Sequence, residues 1–221
     1  MSASTSLHVK CRNSAYPRTD GLQRALVPDE LVDWRVKWDA YKPINYTHPK
    51  VHGKSWADPD IQNSPEVVLN FNQIDGTVDR TSFMGIYQLD SNRIPLNPRG
   101  RTGICGRGSL GRWGPNHAAD PIVTSRPNDS CAYDTKAELL KMPQVIYSGY
   151  VDDPRNTDNA WMETIAVNFH DETGDSIAQL NLQAGDDARK VCWMDVGSEV
   201  KLYANHRDFL ELVAKQRNAK W

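Results

Sequence analysis

The chain has 221 residues, of which 39% are hydrophobic and 24% are charged, and its formal net charge is -2. This composition is typical of a globular chain that buries its own core. The charge argues against a nucleic-acid-binding protein, because phosphate recognition needs a basic excess. No apolar run approaches the roughly 20 residues of a membrane helix, so no membrane span is expected. The four cysteines form no CxxC pair, which argues against a zinc or redox motif.

The first 19 residues are rich in Ser and Thr and contain Lys10, Arg12 and Arg18 but no acid. A mitochondrial presequence has this composition, but it should also form an amphipathic helix. Pro17 and the lack of an apolar stripe argue against such a helix. We therefore predict a cytoplasmic protein, with a mitochondrial location as the alternative.

The first half of the chain is predicted to be largely irregular. Residues 1–64 contain five prolines with three tryptophans between them, a pattern typical of an extended segment held by aromatic packing. Short strands are predicted at Val67–Phe71 and Phe83–Leu89. Residues 95–116 hold six glycines and three prolines and are predicted to form a loop.

The second half has more regular patterns. Strands are predicted at Gln144–Val151, Trp161–Phe169 and Lys190–Val196, and the middle strand places apolar residues and Glu163 on one face. Residues 206–217 carry an apolar stripe with helical spacing and are predicted to form an α-helix.

The segment GRGSLG, Gly106–Gly111, matches a dinucleotide-binding fingerprint, but such a fold needs a strand before it and a helix after it. Trp113, Gly114 and Pro115 follow and no apolar run precedes the segment, which argues against a dinucleotide-binding fold. Two interpretations remain. The segment is either a rigid glycine turn or a diphosphate cradle formed with the arginines at positions 99, 101, 107 and 112.

Two further polar segments each allow two interpretations. The loop in GYVDDPRNTDNAW, residues 149–161, is either an ordinary polar turn or a group of side chains that binds ribose and phosphate. Asn205, in LYANH, is either a helix cap or a ligand residue beside His206, whose position at a helix N-terminus suits an anion.

Three long segments together carry a resemblance to a known family: Gly100–Thr124, Gly149–Thr164 and Lys201–His206. They resemble the mitochondrial-type ADP-ribose pyrophosphatases of the Nudix superfamily and the homologous domain of melastatin-type cation channels. The resemblance implies an α+β fold with a Nudix-like mixed β-sheet sandwich. It also implies Mg²⁺-dependent hydrolysis of ADP-ribose to AMP and ribose 5-phosphate, or binding of ADP-ribose without hydrolysis, as in the channel relatives.

The resemblance further implies a substrate-binding set in a cleft between two lobes. His117 of the GPNH motif would lie near the ligand, and Asp153 and Arg155 of the DDPRN motif would face ribose and phosphate. Leu202, Asn205 and His206 would line the same pocket. The expected partner is ADP-ribose, and a monomer is expected.

The Nudix box, G-x5-E-x7-R-E-U-x-E-E-x-G-U, does not occur anywhere in the chain. Its glutamates build the oxygen-rich site that Mg²⁺ requires. The box belongs between the segments that end at Thr124 and resume near Val145, where only Asp134 and Glu138 follow Ser130 as acids. No metal site is therefore identifiable, although Mg²⁺ is the cofactor expected for the family.

This departure predicts an incomplete sandwich. We expect a loop-rich N-terminal lobe, residues 1–115, and a truncated Nudix-like domain, residues 116–221, whose sheet is short of strands and exposed on one face. Catalysis is expected to be impaired. The alternatives are a catalytically silent ADP-ribose-binding module and a non-functional isoform.

Overall fold

The structure is a computed structural model that describes residues 8–62, 64, 66–125, 143–171, 194–195, 197–200, 202 and 205–221. Over these residues the fold is α+β, as predicted, with several small sheets and an α-helix. The chain forms two compact units. The first unit is Met1–Ala118 with Gly149–Thr164, and the second is Ala119–Ser148 with Ile165–Trp221. In the described part of the chain, no helix has the length and hydrophobicity that crossing a membrane would require.

The first unit consists mainly of irregular segments joined by short elements, as its prolines predict. Strand β1, Ile44–Thr47, pairs in parallel with β4, Ile104–Gly108. Strands β2, Ile74–Asp75, and β3, Val78–Asp79, form a small antiparallel pair. Two 3-10 helices cover Asp29–Leu31 and Pro49–Val51.

Aromatic side chains form the core of the first unit. Tyr87, Tyr150 and Trp161 are buried together, and Phe71 and Leu89 pack against them. The rings of Tyr87 and Trp161 meet edge to face, with centroids 5.2 Å apart, an arrangement that aromatic quadrupoles favour. Segments distant in the chain are thus held by a few large side chains rather than by a continuous sheet.

The largest described sheet has three strands in the order β5-β7-β6. These strands are Gly114–Ser125 (β5), Gln144–Val151 (β6) and Ala160–Asp171 (β7). The strands predicted at 144–151 and 161–169 are therefore confirmed. The side chains of β5 alternate from His117 to Val123, with every second residue exposed, so one face of this strand is open to solvent.

The alternation along β7 differs in part from the prediction. Trp161 and Glu163 are buried as expected, but from Ile165 to Phe169 the buried residues are Ala166 and Asn168, on the other face. Within the second unit, Asn168 accepts a hydrogen bond from Arg217, just beyond the end of the C-terminal helix. The burial of this face therefore depends on a packed neighbour and not on apolar character alone.

The C-terminal helix α1 covers His206–Gln216 and confirms the predicted helix. Phe209, Val213 and Ala214 are its buried residues, and the Phe209 ring lies 5.1 Å from that of Tyr147. Of the strand predicted at Lys190–Val196, only residues 194 and 195 are described, and they are irregular. The remainder of that prediction lies outside the described residues.

Three predictions for the first half were wrong. Val67–Phe71 and Phe83–Leu89 are not strands, apart from one isolated bridge between Leu89 and Pro95. Residues 95–116 are not entirely loop, because they contain β4 and the start of β5. The backbone N–H and C=O of Tyr87 bond the side chain of Asn72 instead of a neighbouring strand, which explains why apolar character there did not produce a sheet.

Candidate functional site

His117 lies on β5 beside a buried carboxylate. Its Nε2 is 3.9 Å from Oε2 of Glu163, and its ring lies 4.9 Å from that of Phe83. Glu163 is fully buried and accepts hydrogen bonds from the Ser82 hydroxyl, the Phe83 amide and the Trp161 indole. These donors fix the carboxylate, since a buried charge is stable only when it is paired. The imidazole lies beside this carboxylate at a distance longer than a hydrogen bond, and its side chain stays partly open to solvent.

Asp153 and Arg155 form an ion pair in the loop after β6. The Nε and Nη2 atoms of Arg155 donate to the two carboxylate oxygens at 2.8 and 2.7 Å, and its backbone amide donates at 2.8 Å. Asp153 is buried, whereas the side chain of Arg155 is 33% exposed. Asp153 therefore orients a guanidinium whose fork geometry suits phosphate or ribose.

The two asparagines of the same loop bind protein groups. The Asn156 side chain donates to the hydroxyl of Tyr150 at 2.9 Å. Asn159 accepts from the Gly106 amide and donates to the Pro95 carbonyl, both at 2.9 Å. Both asparagines are buried. Asn159 ties this loop to Gly106 of the glycine-rich segment, and Asn156 ties it to β6 and β7. Both amides therefore have a structural role and do not face a ligand.

Asp158 is the deepest acid of the loop. It accepts from the Tyr41 hydroxyl at 2.6 Å and from the amide and hydroxyl of Thr102 at 2.6 and 2.9 Å. Burial disfavours the charged form and raises its pKa to about 6, although these hydrogen bonds oppose the shift. The carboxylate is therefore enclosed by the protein and joins three segments of the first unit.

The diphosphate-cradle interpretation of the glycine-rich segment is wrong for two of its arginines. Arg101 is buried and donates to three backbone carbonyls in the segment 31–36. Arg107 is also buried and donates to the carbonyls of Asp58 and Gly111. Both guanidinium groups are bound by the protein, so this segment organises the first unit. It is not simply a turn either, because residues 106–108 belong to strand β4.

The remaining predicted residues lie in the second unit. Asn205 occupies the N-cap position of α1, but its side chain makes no capping hydrogen bond, and its carbonyl accepts from the Phe209 amide at 3.1 Å. His206 is exposed, and its Nε2 lies 3.7 Å from Oδ1 of Asp120. Leu202 is 39% exposed.

Of the six predicted residues, the structure joins Asp153 to Arg155 and places Asn205 next to His206 at the start of α1. The sequence reasoning missed the pairing of His117 with Glu163. The signal was present, because Glu163 is a charged residue on the buried face of an alternating strand, where it needs a partner.

The described carboxylates do not suit a substitute magnesium site. Asp152 accepts from the backbone amides of residues 10 and 11, Asp153 binds Arg155, and Glu163 is bound by three donors. No group of three or more metal-ligating side chains occurs among the residues described. Asp186 and Asp187, two further candidates, lie outside them. Among the residues that the structure describes, the carboxylates of Asp152, Asp153 and Glu163 are therefore engaged by the protein and do not form the oxygen-rich set that Mg²⁺ requires.

Comparison with known proteins shows likeness along nearly the whole chain. A family model described as NUDT9-like, N-terminal domain, matches residues 27–114. ADP-ribose pyrophosphatase, mitochondrial, of Rattus norvegicus is 40% identical, with 97% of this chain and 79% of that protein covered. Putative nudix hydrolase 6 of Caenorhabditis elegans is also 40% identical, with 96% and 98% covered. Transient receptor potential cation channel subfamily M member-like 2 of Nematostella vectensis is 41% identical over 97% of this chain, which spans 18% of the channel.

The alignment with the rat protein is longer than this chain. The match to the rat protein extends over 281 residues, whereas this chain has 221, so at least 60 positions (281 − 221) have no counterpart here. Because 97% of the chain is aligned, these positions lie mainly inside the matched region and not beyond its ends.

Proposed function

We propose, from the premise that this chain belongs to the Nudix hydrolase family of the ADP-ribose pyrophosphatases, that it is an ADP-ribose-binding member with impaired catalysis. The reaction of the family converts ADP-ribose and water to AMP and ribose 5-phosphate. The chain would act as a monomer, with a loop-rich lobe at residues 1–115 and a truncated catalytic domain at 116–221. The name of the rat relative supports the mitochondrial alternative for its location.

One observation carries the proposal: the chain lacks a Nudix box although it aligns along nearly its whole length with a Nudix relative. Mg²⁺ held by that box activates the attacking water and neutralises charge on the diphosphate. Loss of both effects should lower the rate by several orders of magnitude, since each tenfold in rate corresponds to about 1.4 kcal/mol of barrier. The involvement of the described carboxylates in protein contacts supports the same conclusion.

Binding is assigned to His117, Asp153, Arg155, Leu202, Asn205 and His206. Arg155 has the most specific geometry, because Asp153 holds its guanidinium in a planar fork while one third of the side chain reaches solvent. Because Nε and Nη2 already donate to Asp153, a phosphate would be bound at the outer edge of the guanidinium. An oriented guanidinium loses little entropy on binding. His117 lies beside a buried carboxylate, with its ring against Phe83.

The test is calorimetric titration of ADP-ribose into the full chain, with Mg²⁺-dependent AMP formation measured in parallel. Arg155→Ala should weaken binding by about 10- to 100-fold, the loss of a charge-assisted contact. Arg35→Ala is a matched control, because Arg35 pairs with Asp33 through the same two-residue spacing and the same three donors. The control should leave the affinity unchanged.

The outcomes separate the alternatives. Binding without AMP formation favours the silent binding module, and slow AMP formation favours the impaired enzyme. AMP formation at an ordinary enzymatic turnover contradicts the proposal. Absence of binding, together with no rise in melting temperature in the presence of ADP-ribose, favours the non-functional isoform, because a folded binder is stabilised by its ligand.

A further inference from the structure

The first unit contains a cavity that none of the residues assigned to ADP-ribose lines. Its volume is about 680 Å³, within the range of small-molecule sites. Much of its wall is apolar and is formed by Ile61, Val67, Val68, Leu69, Phe71 and Ile94. This wall offers a surface for the aromatic or aliphatic body of a ligand, because burying apolar surface is favourable.

The polar part of the wall includes an arginine in an unusual backbone conformation. Arg93 has φ of +62°, in the left-handed region that disfavours residues with a Cβ. The turn that holds it is closed by Asp90, whose Oδ1 accepts from the amides of Asn92 and Ile94, both at 2.8 Å. The carboxylate of Asp90 is thus bound to the backbone of its own turn.

Arg93 is exposed, and the structure gives its guanidinium no ion pair with a described residue. An unpaired guanidinium beside an apolar wall is complementary to an acid attached to an apolar body. The side-chain amides of Asn92 and Gln62 add hydrogen-bonding groups to the same cavity. The charge of Arg93 and the apolar wall together favour a ligand that carries an acid group on an apolar body.

We propose that this cavity binds a small organic anion whose apolar body lies against the Phe71 wall and whose phosphate, sulfonate or carboxylate is bound by Arg93. The cavity lies in the unit that also holds Arg155, but it shares no residue with the ADP-ribose set. The proposal therefore does not rest on the proposed function.

The experiment is a fluorescence titration of the full chain with 1-anilinonaphthalene-8-sulfonate, an aromatic anion. N-phenyl-1-naphthylamine, which has the same aromatic body and no acid, is titrated in parallel. Saturable binding of one sulfonate probe per chain is expected, with at least about tenfold weaker binding of the neutral probe. Equal affinities for the two probes, or binding that does not saturate, would overturn the proposal.

Arg93→Gly removes the charge and should not harm the fold, because glycine adopts positive φ readily. It should weaken sulfonate binding at least about tenfold without lowering the melting temperature. Arg18→Gly is the matched control, since Arg18 is also an exposed arginine with positive φ (+59°) and does not line the cavity. An unchanged affinity in Arg93→Gly, or an equal loss in Arg18→Gly, would contradict the assignment.

A third variant tests the cavity itself. Val68 is 64% exposed and lines the wall, so Val68→Trp can fill the space without disturbing a buried position. Binding of both probes should fall while the melting temperature is retained. Undiminished binding in this variant would place the probe elsewhere.

Discussion

Asp158 and His8 are both buried in the first unit. As the pH falls, their protonation should change the free energy of unfolding in opposite directions, so that the two effects nearly cancel. Burial raises the pKa of Asp158 from 3.8 to about 6. Burial also lowers the pKa of His8 from 6.5 to about 4, although the nearby Asp152 opposes that shift. In both cases the folded state favours the neutral form.

The surroundings of His8 explain its shift. Its Nδ1 lies 2.9 Å from the hydroxyl of Tyr150, which also receives amide N–H groups from Asn97 and Asn156. The same hydroxyl also contacts the thiol of Cys11, so His8 lies against a densely hydrogen-bonded group in the interior of the first unit. Its Nε2 is buried without a hydrogen-bond partner in the described part of the chain. Burial is the main cause of the lowered pKa of His8. The charge of Arg12 lowers this pKa further, whereas Asp152 and a backbone hydrogen bond with Arg101 oppose the shift.

The signs follow from proton linkage. For Asp158, the folded state binds its proton more tightly, so its stabilising contribution is full below pH 3.8 and is lost as the pH rises through about 6. For His8, the unfolded state binds the proton more tightly, so stability is retained above pH 6.5 and falls as the pH drops toward about 4. Each shift is worth about 3 kcal/mol, at 1.36 kcal/mol per unit.

Between pH 4.5 and 6.5 each group should change the free energy of unfolding by about 2 kcal/mol, in opposite directions, so the wild type should vary by less than about 1 kcal/mol. Asp158→Asn should make the protein about 2 kcal/mol less stable at pH 4.5 than at pH 6.5, because only His8 then titrates. His8→Asn, which keeps a side chain that can donate to or accept from the Tyr150 hydroxyl, should show the reverse slope.

The assay is urea unfolding of the full chain, followed by tryptophan fluorescence at several pH values in this window. The carboxylates with lowered pKa, such as Asp58, titrate below 3.8 and contribute little here. A wild-type slope as steep as that of Asp158→Asn, or equal slopes in the two variants, would refute the compensation.

Two further predictions concern the packing of the first unit. Asp58→Ala should lower the free energy of unfolding by about 3–5 kcal/mol in a urea titration. The reason is that the buried guanidinium of Arg80 loses two hydrogen bonds of 2.8 and 2.9 Å. A loss below about 1 kcal/mol would show that the pairing of Asp58 with Arg80 contributes little to stability. Gly108→Ala should lower the melting temperature more than Gly85→Ala, although both glycines have positive φ. A Cβ at Gly108 would lie 2.1 Å from the Tyr16 hydroxyl oxygen, whereas a Cβ at Gly85 would meet no atom within 4 Å. Equal losses in the two variants would show that the positive φ alone causes the destabilisation.

The sequence alone was sufficient where one element carries its own pattern. The alternation from Trp161 to Phe169 predicted β7, and the apolar stripe after Asn205 predicted α1. Both patterns are local, because side-chain periodicity follows directly from backbone geometry. The family resemblance and the missing Nudix box could also be read from the residues in order.

Tertiary structure decided which polar side chains face inward. Asn156, Asp158 and Asn159 were predicted as either turn residues or ligand contacts, and all three are buried. Asp158 and Asn159 bond distant segments, and Asn156 bonds the neighbouring ends of β6 and β7. The same holds for Arg101 and Arg107, which bind backbone carbonyls that only folding brings near. Their spacing could not reveal this, because the partner of a buried polar group is set by packing and not by position in the chain.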